Sequence, residues 1–512
     1  MTSEARAQTG QAWLPAQRRE PAAAGPGVST GLGSHAEPGS STRLGPSTEL
    51  GPDTGRDDNA GPDTGTSLND SAGPGADTPQ VASAARRPEA PHPGRHRRAP
   101  EARTSYREVF AVGEFRALFS AQALSYAGDQ FAQVAIAILV YGRTHSAFLT
   151  ALAYALTYLP PIAGGPLLSG LADLFPRRRV MIVCDLFRVG TAGLMAVPGI
   201  PFAALCTLLF CTVLAGVPFS SARAALMPDV LPGDKFVVGS AVGNITFQAS
   251  QILGFVAGAA VVAILDPHKT LAIDAGTFGL SALITGFGVQ ARPAPARDGA
   301  GRTSLWSAST GGIRLVFGSR LLLTLLLFGW LAGFYIVPEG LAAPYARSLH
   351  GSALTVGLLM AAVPLGTVIG AFLLGRVAAP SARIRMMGWL AVLSCAPLVG
   401  SAWNPPLWLV LALWILAGAG GAYQLAAATA FVQALRPETR ARAFGVAQSG
   451  LYAVQGLGIL AGGAVAQVTG APLAVGLAGL VGLTAATMLA MNWTHLRARL
   501  IQAQQAETAA GA

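Results

Sequence analysis

Gly165 to Arg188 reads GPLLSGLADLFPRRRVMIVCDLFR. An apolar run ends at Ala172. Asp173, two apolar residues, Pro176 and the arginines Arg177, Arg178 and Arg179 follow, and a second apolar run starts at once. The polar stretch is therefore a short hairpin between two membrane-length segments. Arginines resist translocation and sit well against anionic lipid, which places such a hairpin in the cytoplasm. Asp173 is suited to accept hydrogen bonds from helix-end amides or to pair with an arginine across the hairpin.

The rest of the chain is read outward from there. Of 512 residues, 52% are hydrophobic and 12% charged, against about 25% charged in a soluble domain. The expectation is an all-α polytopic membrane protein with a polar extension, in contact with a lipid bilayer. The net charge is +10. Residues 1–116 hold 13 Arg and 14 acids, so the excess of basic residues lies in the membrane part. That argues for loop topology and against a nucleic-acid partner. Cys184, Cys206, Cys211 and Cys395 all fall in apolar runs without CxxC or zinc spacing, and read as packing residues. The sequence has no Walker A lysine motif, HExxH, GxSxG or metal-spaced histidines. No enzyme, ATP-driven pump, metal or cofactor is expected. Two lysines against 33 arginines, with abundant Ala and Gly, fit a high-GC bacterial genome.

Residues 1–105 are a Gly/Pro/Ser/Thr-rich tail with too few large apolar side chains to offset chain entropy, and are expected to be disordered and cytoplasmic. The tail has no apolar h-region and does not read as a signal peptide. It reads as a dispensable extension or, alternatively, a regulatory tail. Twelve apolar spans follow, at roughly 117–141, 148–172, 180–198, 201–226, 236–265, 270–290, 320–346, 353–378, 385–402, 405–434, 443–468 and 471–493. With both termini inside, eighteen Lys and Arg fall on cytoplasmic loops and helix ends, against Arg143, Lys269 and Arg347 outside. An odd helix count would invert the later loops.

The domain plan is a first six-helix bundle at 106–290, a cytoplasmic linker at 291–319, a second six-helix bundle at 320–495 and a C-terminal cytoplasmic tail at 496–512. In the linker, SLWSASTGGIRLVF predicts a short interfacial helix with Leu305, Trp306, Ile313 and Phe317 toward lipid. The two bundles read as copies. Asp234 precedes Gly254-x-x-x-Gly258, and Glu438 precedes Gly458-x-x-x-Gly462, each pair separated by 204 residues. Small-xxx-small spacing lets helix backbones approach closely in lipid.

The opening hairpin resembles motif A of the major facilitator superfamily, Gly-x-x-x-Asp-Arg/Lys-x-Gly-Arg-Arg/Lys. Asp173, Arg177 and Arg178 fall on its charged positions. Ser169 stands at the first Gly, Leu174 at the first basic residue and Pro176 at the second Gly. The counterpart in the second half, LLGRVAAPSARIRM, keeps Arg376, Arg383 and Arg385 without an Asp. The resemblance implies twelve helices in two pseudo-symmetric bundles around a mid-membrane substrate cavity. The Gly128-Asp129-Gln130 of helix one, the Asp185-x-x-Arg188 of helix three and SSARAALMPDVLP around Arg223 resemble the drug and siderophore exporter branch. This implies secondary active, alternating-access efflux of a hydrophobic small molecule, with protons as a possible coupling ion, by a monomer in the bacterial plasma (inner) membrane. One departure bears on antiport. Gly254 is followed by Phe255 and Gly258 by Ala259, where drug antiporters of this superfamily carry Gly-Pro and Gly-Gly. Uptake or facilitated diffusion, and a non-transporting scaffold or sensor on the same fold, remain alternatives.

Intramembrane charges mark candidate sites. Asp129 lies twelve residues into helix one, roughly 18 Å deep at 1.5 Å per residue. Burial there favours its neutral form, so it is a candidate for proton or substrate coupling. Gln130, Gln248, Gln424 and Gln455 are candidates to line the cavity. Asp185 and Arg188, at i and i+3, read as an ion pair tying helix three to the hairpin, or as a latch. Arg223 is placed to pair with Asp173 or Asp185 in an inner gate. Asp274 and Glu339 sit toward outer helix ends, as outer-gate candidates or solvated end residues.

Overall fold

The computed structural model describes residues 105–168, 171–293 and 305–510. The polar tail lies outside them, apart from Ser105. The Ser105 side chain caps the short helix Tyr106–Ala111 in a capping box with Glu108.

The first half runs through six membrane segments. They are α1 (Gly113–Thr144), α2 (Ala147–Ala155 and Leu159–Leu168, with a last turn at Leu171–Leu174), α3 (Arg177–Met195), α4 (Phe202–Val230), α5 (Asp234–Leu265) and α6 (Pro267–Gly288). A linker helix follows at Leu305–Gly318. The second half has α7 (Arg320–Trp330, continuing in short helical pieces to Ser348), α8 (Ala353–Val377), α9 (Pro380–Val399), α10 (Leu407–Gln433), α11 (Pro437–Thr469) and α12 (Ala471–Ala510). Among the described residues, ten of these are long and apolar enough to cross a membrane. The other two are α2, interrupted at Leu156–Tyr158, and α3, only 19 residues long with five charged side chains. With them the count is twelve.

Some expected boundaries move. Helix α12 continues past residue 493 to Ala510, and α11 starts at Pro437 instead of 443. Helix α7 is interrupted at Leu331, Ile336 and Leu341. An apolar run shows where a chain can span, but not where its backbone ladder is interrupted. The linker helix forms as expected, and Ile313 and Phe317 are half-exposed. Its opposite side packs on α11: Val316 is buried, and Gly312 lies against the Arg442 backbone. Leu305 and Trp306 carry side chains outside the described residues.

The two halves repeat one packing plan. Helix α1 packs on α5 and α6, α3 on α4 and α6, and α2 on α4. In the same way α7 packs on α11 and α12, α9 on α10 and α12, and α8 on α10. The glycine repeat serves this plan. A Cβ at Gly254 would lie 2.7 Å from Gln130 Cβ, and one at Gly258 2.9 Å from Phe131 Cα, both on α1. Cβ atoms at Gly458 and Gly462 would collide with the Gly333 carbonyl and with Val337, both on α7.

The turns repeat as well. Seven described residues have positive φ, and six of them pair across the halves: His145 with His350, Gly199 with Asn404, and Asp266 with Gly470. The spacings are 205, 205 and 204 residues. Asp266 (φ 90°, ψ 161°) and Gly470 (φ 87°, ψ 156°) adopt one conformation, which glycine tolerates and other residues rarely visit. Asp266 compensates by capping α6 through Lys269 N, at 3.0 Å. These turns define a loop face. The opposite, linker face carries the arginine hairpin and the 289–319 connection.

Between the halves run two seams related by the same repeat, α5 on α8 and α2 on α11. Gly357 of α8 sits on the Phe255 carbonyl and Ala259 of α5, and Gly463 of α11 sits on Ala151 of α2. All inter-half hydrogen bonds among the described residues lie toward the loop face. Gln467 Oε1 accepts from Ser146 Oγ at 2.8 Å and from Phe148 N at 3.2 Å, and Tyr154 OH donates to Glu339 Oε2 at 2.9 Å.

Candidate functional site

A charge cluster occupies the interior of the first half. Helices α1, α3 and α6 meet there through small residues. A Cβ at Gly128 would run into the Asp274 carboxyl and the Thr277 hydroxyl. Arg188 of α3 reaches across to α1. Its Nη2 donates to Asp129 Oδ1 at 2.6 Å and its Nη1 to Ser125 Oγ at 3.0 Å. The guanidinium carbon lies 3.8 Å from the centre of the Phe278 ring of α6, a cation–π contact. Asp185 Oδ1 is 3.9 Å from Arg188 Nη1, and Asp185 Oδ2 accepts from Ser281 Oγ at 2.7 Å. Asp274 completes the cluster beside Gly128. Asp185 and Asp274 are buried, whereas the Asp129 side chain keeps 31% of its surface open.

This geometry corrects three expectations. Arg188 is committed to α1 and does not tie α3 to the hairpin. Asp185 is engaged by Ser281 and Arg188, not by Arg223. Arg223 is half-buried and makes no hydrogen bond or ion pair with any described residue. The side chain of Asp173 lies outside the described residues. Asp274 is neither solvated nor apart from the centre, because it is 1% exposed and adjoins the turn that carries Asp129. Ser125 and Ser281 were not among the residues expected from the sequence, and Gly128 was expected there only as part of the Gly-Asp-Gln stretch. The polar spacing Asp185, Arg188 against Ser125, Asp129 was the available signal.

The arginine hairpin has its own logic. Three arginines open α3, where the helix dipole disfavours cations. Two of them, Arg177 and Arg178, turn instead to the carbonyl ends of other helices. Arg177 donates to the Ala225 carbonyl at 2.9 Å and to Asp229 at 2.6 Å, at the end of α4. Arg178 donates to the Gly286 carbonyl at the end of α6. Arg383 does the same in the second half, donating to the Ala378 and Gly375 carbonyls. A further clamp, unforeseen from the sequence, pairs Arg292 with both carboxylate oxygens of Glu114 and fastens the end of α6 to the start of α1.

The second half carries an apolar cleft. Its cavity volume is about 80 Å³, and it lies among α7, α10 and α11, with Trp330, Phe431 and Phe444 as its aromatic walls. Gln424 and Gln448 are its polar side chains. Gln424 Nε2 donates to the Gly329 carbonyl at 3.0 Å and to Tyr335 OH at 2.7 Å. Of the other glutamine candidates, Gln130 is buried with its stem on Gly254, while Gln248 and Gln455 are half-buried. Glu339 stands apart, 3% exposed, between the halves.

Two pseudo-symmetric six-helix bundles, a charged centre in one and an apolar cleft in the other define a polytopic membrane transporter. The chain matches the Major Facilitator Superfamily over residues 118–342 and 334–510, and it belongs to that family. It is 25% identical over 301 residues to the enterobactin exporter EntS of Shigella boydii serotype 4 (strain Sb227), covering 58% of this chain and 71% of that one. It is 27% identical over 376 residues to the multidrug efflux pump Tap of Mycobacterium bovis (strain BCG / Pasteur 1173P2), covering 68% and 85%. Among solved structures it is similar to the nucleoside transporter NupG, with TM-score 0.56 and 15% identity over 74% of this chain and 98% of that one. It is also similar to a bacterial homologue of the human lysosomal transporter Spinster, inward-facing and occupied, with TM-score 0.59 and 15% identity over 74% and 96%. These likenesses agree on the fold.

Proposed function

We propose that the protein exports a hydrophobic small molecule from a bacterial cytoplasm across the inner membrane, coupled to protons, by alternating access. The observation that carries this reading is the division of labour between the halves. The first holds a buried guanidinium among three carboxylates, and the second offers an aromatic cleft with no charged side chain in its lining. The export direction draws support from the two exporters among the relatives.

The positive-inside excess supports a cytoplasmic linker face and cytoplasmic termini. The halves, bonded at the loop face, then stand in an inward-open arrangement. Substrate enters from the cytoplasm or inner leaflet and lodges against Trp330 and Phe431. The bundles rock along the two seams, and the Glu339–Tyr154 bond parts as the outer side opens. Arg177 and Arg178 hold α3 to α4 and α6 so that the first bundle moves as one body. Asp129 and Arg188 respond to protons reaching the cavity.

The test is accumulation of fluorescent dyes and antibiotics in cells expressing wild type, Asp129→Asn, or a deletion of residues 2–100, with and without a protonophore. Lower accumulation in wild type, abolished by the protonophore and by Asp129→Asn but not by the deletion, is the expected result. Lower accumulation that ignores the protonophore would point to a facilitator. A phenotype sensitive only to the deletion would favour a scaffold.

A further inference from the structure

We propose that Asp274, rather than Asp129, carries the proton, and that the two carboxylates compete for the single guanidinium of Arg188. The inference deepens the proton-coupled reading above and rests on it. One guanidinium cannot neutralise three carboxylates in a dry interior, where an unpaired charge is strongly disfavoured. At least one proton is therefore held in the cluster.

The contacts say where. Asp129 takes the direct bond from Arg188 at 2.6 Å and is partly open to the cavity. Asp185 has a donor in Ser281, and its Oδ1, also without a hydrogen bond, lies 3.9 Å from the Arg188 guanidinium, so a cation stands beside it. Asp274 has no cation within 4 Å among the described residues, is 1% exposed, and leaves Oδ1 buried without a hydrogen-bond partner. The nearby Thr277 hydroxyl donates to the Asp274 backbone carbonyl, at 2.7 Å. Of the elements packed on α6, α1 presents Asp129 and α3 presents Asp185 and Arg188. The ionisable residues of α5, Asp234 and Lys235, lie at its far, linker-face end, and His268 and Lys269 lie in the first turn of α6. Arg188 is thus the cation available to Asp274. Release of the Asp274 proton to cavity water leaves a carboxylate that draws Arg188 from Asp129, loosening α3 from α1.

The experiment uses the full chain in lipid nanodiscs and the infrared carbonyl band of protonated carboxyls. Glu339→Gln serves as the background, to remove the other buried acid. At neutral pH a band is expected that disappears in Asp274→Asn and persists in Asp129→Asn and Asp185→Asn. A band that persists in Asp274→Asn and vanishes with either of the others overturns the proposal. If Asp274→Asn does not fold, Asp274→Glu must move the band in frequency, and an unmoved band overturns it equally. In proteoliposomes with Hoechst 33342 as probe, Asp274→Asn is expected to lose pH-driven transport and keep exchange of the dye. Wild-type transport indifferent to an imposed pH gradient would sink the coupling itself, while the infrared assignment of the proton would stand.

Discussion

The two halves share a backbone plan and differ in what fills it. Asp129 and Asp274 have Gly333 and Ala478 204 residues further on, and the buried Asp185 and Arg188 of α3 match the buried Ala391 and Ser394 of α9, 206 residues on. The second half therefore has no buried charge to balance at those places, and its interior is closed by Trp414, Tyr345, Tyr423 and Phe328. The first gives up apolar packing to hold an ion cluster. The difference teaches that symmetry here belongs to the turns and the helix contacts, while chemistry is free to diverge within them.

The largest way to break this comparison is Arg188→Ala. It strands buried carboxylates, and removing one partner of a buried pair costs about 3–5 kcal/mol. Thermal unfolding in detergent is expected to show that loss together with abolished transport, whereas Ser394→Ala at the matching buried place in the second half should cost far less. Equal losses would make the charge cluster incidental.

Next are the paired glycines. A methyl at Gly458 meets the Gly333 backbone carbonyl, which cannot swing away, while one at Gly254 meets the Gln130 side chain. Overpacking costs about 1–3 kcal/mol. Gly458→Ala is expected near the top of that range and Gly254→Ala near the bottom, by unfolding midpoint. The reverse order would mean that the α1–α5 contact is the tighter one.

The seam is tested by Tyr154→Phe, which removes the hydrogen bond to Glu339. A hydrogen bond between neutral buried groups contributes about 0.5–1.5 kcal/mol. Spin labels at Phe148→Cys and Val468→Cys should report a larger population of separated loop faces. An unchanged distance distribution would show that the glycine contacts alone hold the seam.

The smallest effect concerns Asp266 and Gly470. Asp266→Gly makes the two turns alike. A glycine in place of an Asp cap costs only a few tenths of a kcal/mol. Asp266→Ala, which loses the cap and keeps the strained φ, should cost on the order of 1 kcal/mol or more. The Lys269 backbone N–H holds the Asp266 carboxyl below its ordinary range. Its stabilisation is therefore present above the unfolded value, about 3.9, and fades as pH falls through the lowered folded value. Wild type and Asp266→Ala should differ in unfolding midpoint at neutral pH and converge in acid.

Most of the membrane plan was legible because apolar length and arginine placement are local properties. The twelve spans, the midpoint linker helix and the Gly254/Gly458 repeat needed no knowledge of neighbours. Asp129 stood out because a charge in an apolar run has no bland local explanation. Its partner did not, because Arg188 has an acid three residues away and the pairing that formed crosses between helices. Asp274 was misjudged for a related reason. Depth along a helix is readable, but the side of the helix that meets a neighbour depends on packing, and Gly128 opens the space that admits this carboxyl. Glu339 and Tyr154, 185 residues apart, meet only once the halves are assembled.

The two seams also set a lever. Helix α5 has 32 residues, so half its length is roughly 24 Å at 1.5 Å per residue. A rigid rotation on the order of 15°, typical of bodies that rock about an interface, displaces its end by about 6 Å. That is about twice the span of any hydrogen bond at the loop face. The bonds to Gln467 and Glu339 cannot stretch along such an arc. Each is either made or gone, so the outer side closes as a latch and not as a spring.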